Sequence, residues 1–303
     1  MTILNRTNDG LLSVLLLLHR ALIALGPTSR DELLNLCAPA TLDKERKVSE
    51  AQKQARQTLN RWTQAGLFIE AEEKITVHPD FATSDAGAGG LGSLRAALRK
   101  LVLSERNSDG LSNPETESAA VCADFTRALC WVLAQDVYTL PGGGYTGIEE
   151  IELSQLKEKP FALQNNTRWD GLKDWAPFLG FGWTSGVDEF VVDPTDAIRD
   201  ALPAVFGEAR ELTQGAFLER LASELPVIDG GKYRLEIEER LSDNWVKPGA
   251  HEISQSLSRA LLRLEIRGVL RLDARADADQ RSLLGRGGGS LRRISHVILR
   301  GEL

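Results

Sequence analysis

Cysteine is scarce in this 303-residue chain: Cys37, Cys122 and Cys130 are its only three. An odd number at wide spacings fits neither a disulfide framework nor a zinc site, and predicts buried thiols in a reducing cytoplasm. Long apolar runs are also lacking. Val14 to Leu18 is among the longest, far short of the roughly 20 residues a membrane span requires. His19 and Arg20 break what would otherwise imitate a signal peptide behind Arg6, so a soluble, cytoplasmic protein without membrane contact is expected. Catalytic signatures are missing too. The four histidines, His19, His78, His251 and His296, stand at no ligand spacing with one another or with a cysteine. There is no Gly-x-Ser-x-Gly elbow, His-Glu-x-x-His motif or paired Cys-x-x-Cys. Pro141-Gly142-Gly143-Gly144 lacks the Lys and Ser/Thr of a phosphate loop. The pairs Glu149-Glu150 and Glu238-Glu239 are adjacent, point apart on a helix, and read as solvated surface. The expectation is a protein that is not an enzyme and holds no cofactor or metal.

What is present is ordinary for a globular chain: 42% hydrophobic and 26% charged residues. At this length about three quarters of the unfolded surface can be buried, enough for two or three domains without a covalent staple. The formal net charge is −7, but it is unevenly spread. Lys44, Arg46, Lys47, Lys53, Arg56 and Arg61 outnumber Glu45 and Glu50, and the stretch from His251 onward holds ten arginines against six acidic residues. An acidic body with two basic segments suits DNA, because local potential matters more to a polyanion than the overall sum. It equally suits docking on a basic protein.

The first eighty residues read as three helices and a hairpin. Leu11 to Leu25 is an apolar helix stopped by Gly26-Pro27. Thr28 and Ser29 offer an N-cap to a short helix ending near Cys37, with Asp31 and Glu32 in its first turn. A third helix spans about Lys44 to Ala65, with Val48, Ala51, Ala55, Leu59 and Trp62 on one face, and Gly66 ends it. Leu67-Phe68-Ile69 and Ile75-Thr76-Val77 flank an acidic turn. This is the order of a winged helix-turn-helix, with a plain three-helix unit and accessory hairpin as the alternative.

Ala86 to Gly92 reads as a linker, followed by a helix from Ser93 to Ser104, an exposed loop from Asn107 to Ser118, and a helix from Glu117 to Gln135. In the block 165–206, Trp169, Leu172, Ala176 and Leu179 share a helical face. Phe190-Val191-Val192 is a strand, and Asp193-Pro194-Thr195-Asp196 starts a helix. The block reads as a trimmed winged-helix module whose tryptophans are core. The last third repeats the opening: a helix from Gln214 to Leu225, a short element near Tyr233 to Leu241, a helix from Pro248 to Arg267 ended by Gly268, and paired strands at Val269 to Asp273 and Arg293 to Leu299. Between those strands, Ala274 to Arg292 reads as a long wing-tip loop. The fold expected is mainly α with small β-hairpins: tandem winged helix-turn-helix modules at 1–85 and 211–303, joined by a helical middle at 93–210.

Two surfaces stand out. With its apolar stripe inward, the third helix turns Lys53, Gln54, Gln57, Asn60, Arg61 and Gln64 outward, and Lys47 lies near its start. Amides suit adenine edges, and Lys or Arg suit guanine or phosphate. Glu50 shares the face, and Glu70, Glu72 and Glu73 make the wing acidic, which opposes phosphates. On the last long helix, Ile253, Leu257, Ala260 and Leu264 form the inward stripe. Arg259, Arg263 and Arg267 form a ladder, and Leu262 and Ile266 face away, which predicts a covered or partner-binding helix. The loop arginines Arg275, Arg281, Arg286, Arg292 and Arg293 are phosphate candidates, Arg281, Arg286 and Arg292 foremost.

The opening Ile3-Leu4-Asn5-Arg6-Thr7-Asn8-Asp9-Gly10-Leu11, and the Trp169 to Phe206 block with its Leu-Gly-Phe-Gly run and Asp-Pro-Thr helix start, resemble the DpdG family. Its members belong to bacterial gene clusters that insert 7-deazaguanine derivatives into DNA and restrict unmodified DNA. The resemblance implies a non-enzymatic component of antiphage defence, with helicase-like or nuclease-like partners, and brings no site residues with it. Three functions follow as expectations: a DNA-binding accessory subunit; a winged-helix scaffold contacting protein partners, an ATPase or nuclease or a second copy of the chain; and a local transcription regulator, which predicts a palindromic site and dimer symmetry.

Overall fold

The computed structural model describes residues 3–4, 12–39, 50–82, 90–111, 120–156, 158, 161–185 and 189–301. It is a mixed α/β protein dominated by helix, with twelve α-helices and four small sheets among the described residues. The chain divides into two compact units: Met1–Gly110 with Glu115–Phe125, and Leu111–Pro114 with Thr126–Leu303.

In the first unit, α1 (Leu12–Leu25) buries Leu15, Leu18, His19 and Leu22. Thr28–Ser29 do more than cap: they form a short strand, β1. Ser29 still accepts from the Glu32 amide to cap α2 (Arg30–Cys37), a contact worth about 1 kcal/mol. The described part of the third helix, α3 (Glu50–Ala65), turns Ala55, Leu59, Trp62 and Ala65 into the core. Ala51, expected on that stripe, is exposed, and Val48 lies outside the described residues. Strands β2 (Phe68–Ala71) and β3 (Lys74–Val77) pair antiparallel. Glu72 and Glu73 at their tip both adopt positive φ, the geometry of a two-residue hairpin turn. β1 joins the far side of β3 through Thr28↔Ile75, giving the sheet order β1-β3-β2.

Helix α4 (Gly90–Val102) takes in the last three residues of the expected glycine linker. The loop expected from Asn107 begins instead inside α5 (Glu105–Ser108), where Asn107 and Ser108 are buried. Asn107 Nδ2 donates to the carbonyls of Ala65 and Leu101, both at 3.0 Å, tying the end of α3 to α4. A buried amide satisfied in this way is core, although its residue type reads as loop. Residues 112–118 of that loop lie outside the described residues. α6 (Ala123–Ala134) starts after Cys122, and the division between units falls within it.

The second unit continues with α7 (Tyr145–Gln155), α8 (Asn166–Phe178), the hairpin β4 (Gly182–Ser185) and β5 (Glu189–Val192), and α9 (Thr195–Phe206). Trp169, Leu172, Ala176 and Leu179 are all buried, as their spacing predicts. β4, with no alternating pattern to announce it, is held by its register with β5. The glycine run before α7 has a steric reason. The Phe190 amide donates to the Gly142 carbonyl at 2.8 Å, and a Cβ on Gly142 would lie 2.4 Å from the Phe190 oxygen.

Then follow β6 (Glu211–Thr213), α10 (Gln214–Glu224), α11 (Lys232–Glu238), β7 (Glu252–Ile253) and α12 (Gln255–Ile266). α12 begins seven residues later than Pro248, because Ile253 is in strand and Ser254 is the cap, its side chain accepting from the Leu257 amide. Beyond it lie β8 (Leu270–Asp273), β9 (Arg281–Leu284), β10 (Ser290–Ile294) and β11 (His296–Leu299). β11 pairs with both β6 and β8, giving the order β6-β11-β8. The long wing-tip loop is thus replaced by a second sheet, β10-β9-β7, in which β7 and β9 run parallel. Leu283, Leu284 and Ile294 are buried and hold it down.

Among the described residues one helix ending occurs three times. The amides of Leu67, Phe181 and Val269 donate five residues back to Trp62, Ala176 and Leu264, at 2.8–2.9 Å. Each bond spans a glycine of positive φ: Gly66, Gly180 and Gly268. This closure satisfies orphan carbonyls and needs a left-handed residue, which glycine supplies at least cost.

Candidate nucleic-acid and partner surfaces

The exposed face of α3 is narrower than its helical wheel predicts. Lys53, Arg56, Asn60 and Gln64 are exposed, while Gln54 and Gln57 are half-buried. Arg61, expected on this face, is only 6% exposed and belongs to the core side. Its charge is felt by Cys122. Lys47 lies outside the described residues. Lys53 is within 3.7 Å of Glu50, an exposed ion pair of small energetic weight. Arg56, which the pattern left unassigned, makes no ion pair among the described residues.

Arg30, at the first turn of α2, organises the edge of this face. Its Nε and Nη2 donate to the two carboxylate oxygens of Glu70 on β2, at 3.3 and 2.7 Å. Its Nη1 donates to Asn60 Oδ1. The hydrogen bond from Arg30 holds the Glu70 carboxyl below its ordinary pKa. Glu70 is therefore neutralised in place rather than a free repulsive charge. Asn60 already accepts from Arg30 at its oxygen, so a bidentate adenine contact, which needs oxygen and amide together, would share that oxygen with Arg30 or displace it.

On α12, Leu257, Ala260, Leu261 and Leu264 are buried. Each arginine of the ladder already has a partner inside the second unit. Arg259 lies over the Tyr138 ring at 5.9 Å, Arg263 is paired with Asp193, and Arg267 reaches Asp196 at 3.2 Å. Arg263 and Arg267 thus brace α12 against α9 and the residue before its cap, and Arg259 braces it against the segment between α6 and α7. Leu262 is half-buried, whereas Ile266 is 85% exposed.

The arginines between β8 and the end of β10 separate in the same way. Arg292 Nη2 donates to both carboxylate oxygens of Glu265, at 2.9 and 2.8 Å, and Arg275 pairs with Glu211 at 2.7 Å. Arg281 is half-buried. Arg286, on a tight glycine turn, and Arg293, on β10, are exposed and make no ion pair among the described residues.

Elsewhere in the second unit a cleft of about 630 Å3 is lined in part by Asp136, Ser154, Asn244, Trp245, Lys247 and Glu252, with both signs of charge on its rim. Among the described residues no three His, Cys, Asp or Glu side chains are arranged to hold a metal. Cys122 and Cys130 are buried, and burial pushes both thiols up, away from the reactive thiolate. Cys37, also expected to be buried, is partly exposed, yet burial still raises its thiol. No described helix is long and apolar enough to cross a membrane.

These features define a mixed α/β protein dominated by helix, with small sheets and two compact units. The chain belongs to the DpdG-like family, whose model matches residues 1–278. No curated protein and no solved structure matches the chain.

Proposed function

We infer that the chain is a DNA-binding accessory component of a bacterial DNA modification and restriction system, without a catalytic site of its own. The family supplies the setting, and the observation that carries the DNA reading is the α3 face. It presents Lys53, Arg56, Asn60 and Gln64, all polar and exposed, with no large apolar group among them. The order α1-β1-α2-α3-β2-β3, with sheet order β1-β3-β2, is that of a winged helix-turn-helix, and α3 is its recognition helix. α9-β6-α10-α12-β8-β11, with sheet order β6-β11-β8, repeats it, α11-β7 and β9-β10 being insertions. α6-α7-α8-β4-β5, with Gly142 standing where β1 stands, is a third copy that starts well before residue 165.

The C-terminal copy favours a different occupant. Its recognition helix, α12, displays Ile266 and has its arginines tied to its own chain. Reading base edges with an exposed isoleucine is poor chemistry, and contacting an apolar patch on a helicase-like or nuclease-like partner is good chemistry. One experiment separates the modules. Hydrogen exchange of the full chain with and without a mixed-sequence duplex of about 30 base pairs should slow over α3 and β2-β3 and stay unchanged over α12. Protection confined to α12, or none anywhere, contradicts the reading.

A further inference from the structure

The Arg30 cluster carries more than a local brace. Its guanidinium sits at the surface, with side-chain exposure of 25% for Arg30 and 40% for Glu70. It stands at the border of the exposed α3 face, and its orientation is fixed from two sides. Nη1 is held by Asn60, and the Nε/Nη2 edge is spent on a pair of oxygens in side-on geometry. That edge of an arginine matches a carboxylate and the two unbridged oxygens of a phosphodiester equally well. An exposed carboxylate partner is weakly held, because such pairs are nearly balanced by solvent. Exchange of Glu70 for another oxyanion is therefore open.

We propose that Arg30 is a phosphate-backbone contact of the α3 surface, occupied in the unbound chain by the carboxylate of Glu70. The proposal rests on the DNA reading of α3 and deepens it. The ligand at Arg30 is the sugar–phosphate backbone of a nucleic acid, not a base edge. Glu70 is a placeholder that turns away on binding. Asn60 is a positioning residue that keeps the fork aimed once Glu70 has left. The exchange leaves the arginine paired throughout but releases the Glu70 carboxylate beside the backbone, so Glu70 competes with the phosphate and its removal favours binding.

The test uses the full chain, a fluorescein-labelled mixed-sequence duplex of about 30 base pairs, and anisotropy titrations across a range of salt. Glu70→Gln should tighten binding about tenfold, the worth of one hydrogen-bonded contact to a charged group. Arg30→Gln should weaken binding and flatten the dependence of log K on log salt by about 0.9, one phosphate contact. In the Arg30→Gln background the gain from Glu70→Gln should vanish. Urea melts should overlay wild type for each variant. If Arg30→Gln fails to fold, Arg30→Lys keeps the cation without the fork, and should retain the slope while losing affinity. An equal gain from Glu70→Gln with and without Arg30 would mean simple charge repulsion and overturn the proposal. A silent Arg30→Gln beside a damaging Lys53→Glu/Arg56→Glu pair overturns the Arg30 assignment alone. Silence of both overturns the α3 reading with it.

Discussion

Arg263 of α12 donates to the carboxylate of Asp193, the same group that accepts from the amide of Thr195 at the start of α9. The Asp193 side chain is only 6% exposed, so these donors replace the water its carboxylate has lost. Arg263→Ala should destabilise the second unit by about 2 kcal/mol, because a nearly buried carboxylate loses a charged partner. Urea unfolding of the full chain checks this, and a midpoint unchanged from wild type would show the pair to be ornamental.

Ile266 gives the opposite expectation from the same helix. At 85% exposure it contributes little to folding, so Ile266→Glu should leave stability within about 0.5 kcal/mol. It should nevertheless abolish capture of a protein partner or shift the oligomeric state seen by light scattering. Leu262→Glu, at a half-buried position, should lower the melting temperature instead. If Ile266→Glu alters neither partner capture nor oligomeric state, α12 is not an interface.

The close approach of β5 to the residues before α7 is tested by two adjacent glycines. Gly142→Ala places a methyl 2.4 Å from the Phe190 oxygen and should cost about 1–3 kcal/mol. Gly143→Ala meets nothing within 4 Å and should be close to neutral. Equal effects would argue that the run serves flexibility rather than this contact.

Periodicity made the helices legible, and the repeated helix-glycine-strand ending was visible at Gly66 and Gly268 because it depends on one residue type at a fixed offset. What escaped was set by tertiary partners. β1 and β7 are two residues long and exist only because β3 and β9 pass alongside. Asn107 has the composition of a loop and the surroundings of a core residue. Glu152, which no motif singles out, is buried on α7, accepting from the Tyr145 hydroxyl at 2.6 Å and the Gln164 amide at 3.2 Å. The site was half legible. Lys53 and Gln64 fall where the wheel puts them, whereas Arg61 turns inward, and Arg30 joins the surface from another helix that no local pattern connects to α3.

His19 makes the first unit sensitive to acid. Buried in α1 with Nε2 3.3 Å from the Phe81 carbonyl, it has a pKa lowered from 6.5, chiefly by burial. The unfolded chain therefore takes up this proton before the folded one does. The stability tied to neutral His19 is full above pH 6.5 and is lost as pH falls from there toward the folded value. His19→Gln should flatten that part of the curve in urea melts between pH 7.5 and 5.5. An unaltered slope would assign the acid loss to other groups.

The central claim, that α3 carries DNA contacts, is met most directly by the salt dependence of duplex binding in Lys53→Glu/Arg56→Glu. Both side chains are exposed and neither touches the core, so the fold should persist. The account predicts a marked loss of affinity and a slope of log K against log salt flatter by about 1.8, two phosphate contacts at roughly 0.9 each. Wild-type affinity with a wild-type slope in the double variant would contradict it.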